Sequence, residues 1–432
     1  MIYILTSLYY FLFSRKKSVI TIALFALLVF TSVAAYLVGR QPTGDILTHL
    51  CTLYCAVLLY ILFNSFKGYS RIMTISFDDI SQSRLRTIER ITTILGVFAL
   101  LLYAYILSKT FTELLLGTMT VQEHKNEGGA TEFWSTLVPH SFITLGNFVA
   151  PIGYVFLSLH FYYLINNESW RSVKYLLLSL VIILNGLIAL SRSATVQYVL
   201  EYFVIFLFVA PLINKKTRKK IIVGGSVVGG IIILALTVIT QTRFESYYTK
   251  LSQNEAIIDE TKEPALFSAL DYFAQWEENA PIIMQRYKMG DLSWGMFNSC
   301  GLAVHIQKMI QGGDVVNEAR EKKYRGQLLK EQASYFHGLP ARLIYDFGFF
   351  GTVLFILLYA GLIRKTGPKN GVLTFKSLIV LPVILPVCVV FWAGNTLASL
   401  SLDIAIIYNI CIYNWIRRKP TKYRVLTKQI GQ

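Results

Sequence analysis

Long apolar runs recur along most of the chain, and charged residues gather between them. The runs cover residues 19–39, 46–66, 91–108, 139–165, 175–191, 193–213, 220–240, 339–363, 372–393 and 397–415. About 20 apolar residues in a helix cross the roughly 30 Å of bilayer hydrocarbon. The runs lack the alternation of barrel strands, and in lipid only helices or closed barrels satisfy every backbone group. We therefore predict an all-α polytopic membrane protein with about 10–11 transmembrane helices.

A shorter apolar stretch, residues 2–13, precedes these runs. Arg15, Lys16 and Lys17 follow it, and no small-residue cleavage site comes next, so the stretch is not typical of a cleavable signal. We interpret it as a short or re-entrant first segment.

The charge pattern assigns the connecting segments to sides. Only 15% of residues are charged, against about 25% in soluble domains, and the net charge is +16. One set of alternate segments carries +21, the other carries −3, and Glu201 and Asp403 inside the runs carry the remaining −2. Lysine and arginine collect in cytoplasmic loops, so basic runs such as 215–220 indicate topology rather than nucleic-acid binding. Asp78 and Asp79 lie in this cytoplasmic set and are interpreted as solvated. The set consists of residues 15–17, 67–90, 166–174, 214–220, 364–376 and 416–432.

This topology leaves one large extracytoplasmic loop, residues 241–338. The chain divides accordingly into N-terminal membrane helices (1–240), the loop, and C-terminal membrane helices with a basic tail (339–432). Loops of this length are usually functional or disordered. Two groups of residues at helical spacing favour amphipathic helices that lie on the membrane or cap a cavity. The groups are Leu266, Leu270, Phe273 and Trp276, and Met296, Cys300, Val304 and Lys308–Met309.

Arg192 stands between two apolar runs with almost no loop. An ionisable residue at such a place is a functional candidate, and the planar guanidinium suits phosphate because it bonds two oxygens at once. The alternative is an arginine that snorkels from a helix end.

A second candidate stretch leads from the large loop into the next run. If a helix begins at Pro340, then Arg342, Tyr345 and Asp346 lie at i, i+3 and i+4 on one face. His337 stands just before that helix, and a neutral histidine can act as a general base near pH 7. The alternative is an Arg–Asp pair that holds a helix end, beside a surface histidine.

The large loop carries further basic and aromatic residues, of which Arg243, Arg286 and Tyr248 are the preferred candidates. Arginine suits a diphosphate and aromatic rings suit sugar faces. For each one, a solvated or packing role is the alternative.

Two carboxylates, Glu201 and Asp403, fall inside apolar runs, where they need a partner or water. A pairing of Glu201 with Arg192 and a polar contact between helices are both open. The five cysteines show no metal-ligand spacing, and no cofactor motif is present. We predict neither a metal nor a cofactor.

The chain resembles the bacterial O-antigen polymerase (Wzy-type, oligosaccharide repeat-unit polymerase) family. The resemblance rests on the many spans, the Ser191-Arg192-Ser193 turn and the single large loop. It rests also on Tyr345-Asp346-Phe347-Gly348 with Gly351, and on Asp271-Tyr272-Phe273 with Gly295-Met296-Phe297. The family's loop motif of an arginine followed after ten residues by glycine is not found after Arg286 or Arg325.

The resemblance implies a GT-C-like, metal-independent membrane glycosyltransferase. It would polymerise undecaprenyl-diphosphate-linked repeat units at the outer face of the bacterial cytoplasmic membrane, with a chain-length regulator protein as a further expected partner. Arg192, Arg286 and Arg342 would stabilise the departing diphosphate. His337 would be the base, or Asp271 in its place. The alternatives are an O-antigen ligase, which shares the donor, and a polysaccharide flippase, which predicts short loops and more charge inside the spans.

Overall fold

The computed structural model of the chain describes residues 1–14, 17–40, 44–70, 72–116, 129–188, 192–225, 230, 264–287, 301–312, 336–394 and 396–418. Over these residues the protein is almost entirely helical. Seven helical segments there are long and apolar enough to cross a membrane. The fold is therefore that of an all-α polytopic membrane protein.

The helices are labelled here in chain order. They are α1 (Ile2–Phe13), α2 (Val19–Leu37), α3 (Ile46–Asn64), α4 (Gln82–Leu116), α5 (Gly129–Leu137), α6 (His140–Val149), α7 (Gly153–Ile165), α8 (Ser169–Ser179), α9 (Val181–Ile188), α10 (Arg192–Val209), α11 (Pro264–Arg286), α12 (Gly301–Gln311), α13 (Gly338–Thr366), α14 (Phe375–Val389) and α15 (Leu400–Ile416). Short 3₁₀ turns extend α3 at Ser65–Tyr69 and α10 at Ala210–Leu212, join α6 to α7 at Ala150–Ile152, and precede α15 at Thr396–Ala398.

The seven candidate spans confirm the corresponding apolar runs. They are Val19–Leu37, Ile46–Tyr69, Gln82–Leu114, His140–Ile165, Ser169–Ile188, Ser193–Leu212 and Gly338–Thr366. The runs at 372–393 and 397–415 form the shorter helices α14 and α15. Most of the run at 220–240 lies outside the described residues. The first stretch is a helix of 12 residues, α1, which at 1.5 Å per residue is too short to cross a bilayer.

The two strands of the described chain tie three segments together at one end of the helices. Strand β1 (Thr74–Ile75) pairs in parallel with β2 (Val372–Leu373), and Ile80 forms a bridge with Arg417. We call residues 74–81, 372–376 and 416–418 the clasp. It fixes the start of α4, the start of α14 and the end of α15 beside one another.

Asp79 holds the clasp to α14. Its carboxylate oxygens accept hydrogen bonds from the backbone N–H groups of Phe375 (3.2 Å) and Lys376 (3.1 Å). These are orphan donors of the first helical turn, which need such a partner. Its carbonyl oxygen accepts from the Arg418 N–H at 2.9 Å. The interpretation of Asp79 as a solvated residue is therefore wrong.

Helix α11 packs among the spans at the end opposite the clasp. It contacts α2, α3 and α13, and Ala274, Trp276, Ala280, Ile283 and Met284 are buried. Small residues make the close approach to α2 possible, because Ala274 packs on Ala34 and Ala35. The predicted helical spacing of Leu270, Phe273 and Trp276 is confirmed. Their helix is enclosed by neighbouring helices on most of its C-terminal half.

Candidate functional site

Three segments meet at the end opposite the clasp: residues 276–279 of α11, residues 336–346 at the start of α13, and residues 391–394 after α14. We call this meeting point the junction. The backbone N–H groups of Gly338 and Leu339 donate to the carbonyl oxygens of Trp392 (3.2 Å) and Phe391 (2.6 Å). The Asn279 side chain donates to the Phe336 carbonyl at 2.8 Å. Hydrogen bonds from two sides thus fix the chain on either side of His337.

The backbone at Gly338 explains the sharp entry into α13. Its φ is +72°, in the left-handed region that favours glycine. A Cβ at this position would also lie 2.9 Å from Cε3 of Trp276. Pro340 then falls in the first turn, where its missing N–H costs nothing. Local sequence and the packing of Trp276 together set the direction in which α13 starts.

The junction contains four of the residues predicted as functional. His337 is buried and directly precedes α13. Arg342 is half-buried and lies beside the turn at Gly394, where a Cβ would be 3.4 Å from the guanidinium Nε. Tyr345 and Asp346 are buried on the same helix. The predicted helical register of Arg342, Tyr345 and Asp346 is confirmed.

Aromatic rings surround the junction. Trp276 packs against Tyr3 (centroids 4.7 Å apart) and Phe391 (5.3 Å), and Phe273 packs against Trp392 at 5.0 Å. The indole N–H groups of Trp276 and Trp392 are buried and have no hydrogen-bond acceptor within the described part of the chain. Buried donors are normally satisfied by protein or by water, so each of these two N–H groups is a donor that a water or a ligand oxygen could satisfy.

Asp271 lies apart from the junction and is held by Arg40. The Arg40 guanidinium contacts Asp271 at 2.9 Å and Glu278 at 2.8 Å. Asp271 precedes Trp276 by five residues, or about 7.5 Å along the helix. In this arrangement Asp271 neutralises a cation and positions α11 on the end of α2.

Glu277, also on α11, points to α2 and forms none of the ion pairs seen among the described residues. It is buried and accepts a hydrogen bond from the Ser32 hydroxyl. Burial raises the pKa of Glu277 from 4.5 to about 7, because desolvation disfavours the charged form. Sequence reasoning missed both Arg40 and Glu277. A signal existed, since Glu277 and Glu278 interrupt the apolar spacing of this helix.

The remaining predicted residues are only partly placed. Arg192 is the first residue of α10 and Arg286 the last of α11, and the side chains of both lie outside the description. Arg243 and Tyr248 fall entirely outside the described residues. The structure therefore brings His337, Arg342, Tyr345 and Asp346 together but does not show which further arginines join them.

Two carboxylates from apolar runs have different surroundings. Glu201 is fully buried in α10, and neither of its oxygens has a hydrogen-bond partner among the described residues. Asp403 lies in the first turn of α15 and accepts from the Leu302 backbone N–H at 2.8 Å. Asp403 thus makes a polar contact between helices, one of the two possibilities that the sequence left open, because it binds the N-terminus of α12. No group of three or more potential metal ligands occurs in the described ranges.

Comparisons with protein-family models, curated proteins and solved structures found no match to this chain.

Proposed function

We propose that this chain is a membrane glycosyltransferase that polymerises undecaprenyl-diphosphate-linked oligosaccharide repeat units into a surface polysaccharide, either an O-antigen or a capsule. The reaction takes place at the outer face of the bacterial cytoplasmic membrane, on a GT-C-like scaffold with the loop 241–338 on that side. The observation that best supports this proposal is the composition of the junction. It combines a half-buried arginine, a buried histidine and two buried indole donors among the ends of membrane helices.

The chemistry of the proposed reaction needs these groups. A hydroxyl of the acceptor sugar attacks the anomeric carbon of the donor, and the bond from that carbon to the lipid diphosphate breaks. The transition state resembles an oxocarbenium ion, and negative charge develops on the departing diphosphate. Cationic side chains that are already in place stabilise such charge. Arg342 is the residue that the junction offers for this role.

The hydroxyl proton must be accepted as the new bond forms. His337 is the proposed base, because a neutral imidazole is available near pH 7. Tyr345 and Asp346 lie one turn beyond Arg342 in α13 and support the position of Arg342. Arg192, Arg243 and Arg286 are the proposed additional diphosphate ligands. A chain-length regulator protein is the proposed partner.

Analysis of the surface glycan tests this function. In a host deleted for the gene, we expect loss of the polysaccharide ladder while single repeat units still reach the surface. Complete loss of lipid-A-attached sugar would indicate a ligase instead, and lipid-linked units that accumulate inside the cell would indicate a flippase. Either result would overturn the proposal.

Complementation with variants tests the site. Arg342→Gln should abolish the ladder at normal protein levels, because the diphosphate loses a cation. The matched control is Arg364→Gln, which removes an exposed arginine near the other end of the same helix and should leave the ladder intact. A normal ladder with Arg342→Gln would refute the role of Arg342.

A further inference from the structure

Helix α12 has an apolar side that the described part of the chain covers only at its start. Leu302 and Ala303 are half-buried, whereas Ile306, Met309 and Ile310 are 47%, 76% and 77% exposed. At 100° per residue these five side chains form one continuous stripe. His305, Gln307, Lys308 and Gln311 occupy the other side of the helix.

The N-terminus of α12 is bound to a face of α15 that is itself apolar and exposed. Asp403, which accepts the Leu302 N–H, is followed at i+4 and i+7 by Ile407 and Ile410. Both isoleucines are exposed, at 44% and 51%. On a helix of a membrane protein, such a row faces the acyl chains. The stripe of α12 therefore begins where the lipid-facing row of α15 ends.

The depth of this contact follows from the length of α15. Its last residue, Ile416, accepts a hydrogen bond from the Ser81 N–H in the clasp. Arg417 and Arg418 follow directly, so we take Ile416 as the boundary of the hydrocarbon layer on the clasp side. Asp403 is 13 residues before Ile416, or about 20 Å along an upright helix. The hydrocarbon layer is about 30 Å thick. Helix α12 thus starts about 10 Å below the far boundary, within the depth of the bilayer.

We propose that α12 is an interfacial helix whose stripe from Leu302 to Ile310 lies among the acyl chains of the leaflet at the end opposite the clasp. His305 and Gln311 face the headgroups, and Lys308 reaches them with its long side chain. The occupant of the stripe is lipid because α12 starts at bilayer depth, beside a helix face whose exposed isoleucines suit acyl chains. This inference does not depend on the proposed enzymatic function.

Photolabelling of the full-length protein tests the proposal. The protein is reconstituted in phosphatidylcholine vesicles that contain a phospholipid with a diazirine near the end of one acyl chain. Labelled positions are identified by peptide mass spectrometry. We expect label on Ile306, Met309 and Ile310 at a yield within about threefold of that on Ile407 and Ile410. Met73, which is exposed in the clasp region, should receive at least about tenfold less.

Two outcomes would overturn the proposal. One is labelling of Ile407 and Ile410 without label on α12. The other is that, in native membranes, a photoreactive residue at position 309 crosslinks to a second polypeptide rather than to lipid.

A pair of variants adds an independent readout. Ile310→Glu should reduce acyl-chain labelling of α12 at least about fivefold without changing the yield on Ile407, because the carboxylate leaves the hydrocarbon. His305→Glu, on the polar side, should leave the labelling of α12 unchanged. Equal labelling in both variants would show that the stripe does not face lipid.

Discussion

The ion pairs of Arg40 provide the sharpest test of how α11 is held. One guanidinium spans two turns of α11, contacting Asp271 at 2.9 Å and Glu278 at 2.8 Å. Arg40 comes just after α2 ends, so it joins two helices separated by more than 200 residues of sequence. Arg40→Met removes the charge and retains most of the apolar stem. We predict that this substitution loosens α11.

The expected loss in the free energy of unfolding follows from how exposed the three charged side chains are. The side chains are 33% exposed for Arg40, 17% for Asp271 and 35% for Glu278. Fully exposed pairs contribute about 0–1 kcal/mol, whereas breaking a buried pair costs about 3–5 kcal/mol. Partial solvent screening places each of these two pairs near 1 kcal/mol. Arg40→Met should therefore lower the free energy of unfolding by about 2 kcal/mol.

The assay compares Arg40→Met with a matched exposed pair. Arg171 contacts Glu168 at 3.1 Å with both side chains nearly half exposed, and it lies 5.2 Å from the centre of the Tyr163 ring. Arg171→Met should therefore cost no more than about 1 kcal/mol. Both variants are unfolded by SDS titration in mixed micelles. A double-mutant cycle with Arg40→Met and Asp271→Asn should give a coupling near 1 kcal/mol. Equal effects of the two arginine variants, or a coupling near zero, would refute the reasoning.

Three further predictions concern a helix start, a glycine and a buried acid. Asp79→Ala should lower the free energy of unfolding by about 1 kcal/mol, because the N–H groups of Phe375 and Lys376 lose their acceptor while the N-cap Thr374 remains; chemical unfolding measures this. Gly338→Ala should cost about 1–3 kcal/mol, because φ is positive and Trp276 leaves no room for a Cβ. Glu277 has a folded-state pKa of about 7, raised from 4.5. The folded protein therefore retains a proton that the unfolded chain releases. Stability should fall by up to about 3 kcal/mol as pH rises from 4.5 to 7, and Glu277→Gln should remove this slope from a pH series of unfolding curves.

Each of the three has a control on the same element. Asp78→Ala removes the neighbouring carboxylate, which bonds only the Ser76 hydroxyl among the contacts described, and should be nearly neutral. Gly361→Ala, in α13 with open space around its Cβ, should stabilise by up to about 1 kcal/mol. Glu278→Gln should retain the pH slope. Results in which a control matches its test variant would contradict the corresponding mechanism.

The positions of most helices could be predicted from the sequence because hydropathy is a local signal. A run of apolar residues is long enough for a span wherever it occurs, and 46–66 and 339–363 correspond closely to helices Ile46–Tyr69 and Gly338–Thr366. The prediction for 91–108 was too short. Helix α4 begins at Gln82, and its first turns carry Arg84, Arg86 and Arg90, which hydropathy counts as loop.

Contacts between residues far apart in the chain could not be predicted from the sequence. The run at 372–393 predicts a full span, yet α14 ends at Val389 because residues 391 and 392 pair with the start of α13. Asp79 and Asp403 each bind the N-terminus of a helix that lies far away in the chain. Hydropathy shows that such a carboxylate is polar but not which orphan backbone groups it satisfies.

The structure also separates the two residues proposed as base. Asp271 accepts hydrogen bonds from the Arg40 guanidinium on one carboxylate oxygen and from the Gln275 side-chain amide on the other. To act as a base it would have to leave Arg40 and release the end of α11. His337 lies in the junction, where hydrogen bonds from α11 and from residues 391 and 392 fix the backbone on either side of it. If His337 is the base, Asp271→Asn should impair the glycan ladder no more than Glu278→Gln does, since both would act only through Arg40. A much larger effect of Asp271→Asn would restore Asp271 as the proton acceptor.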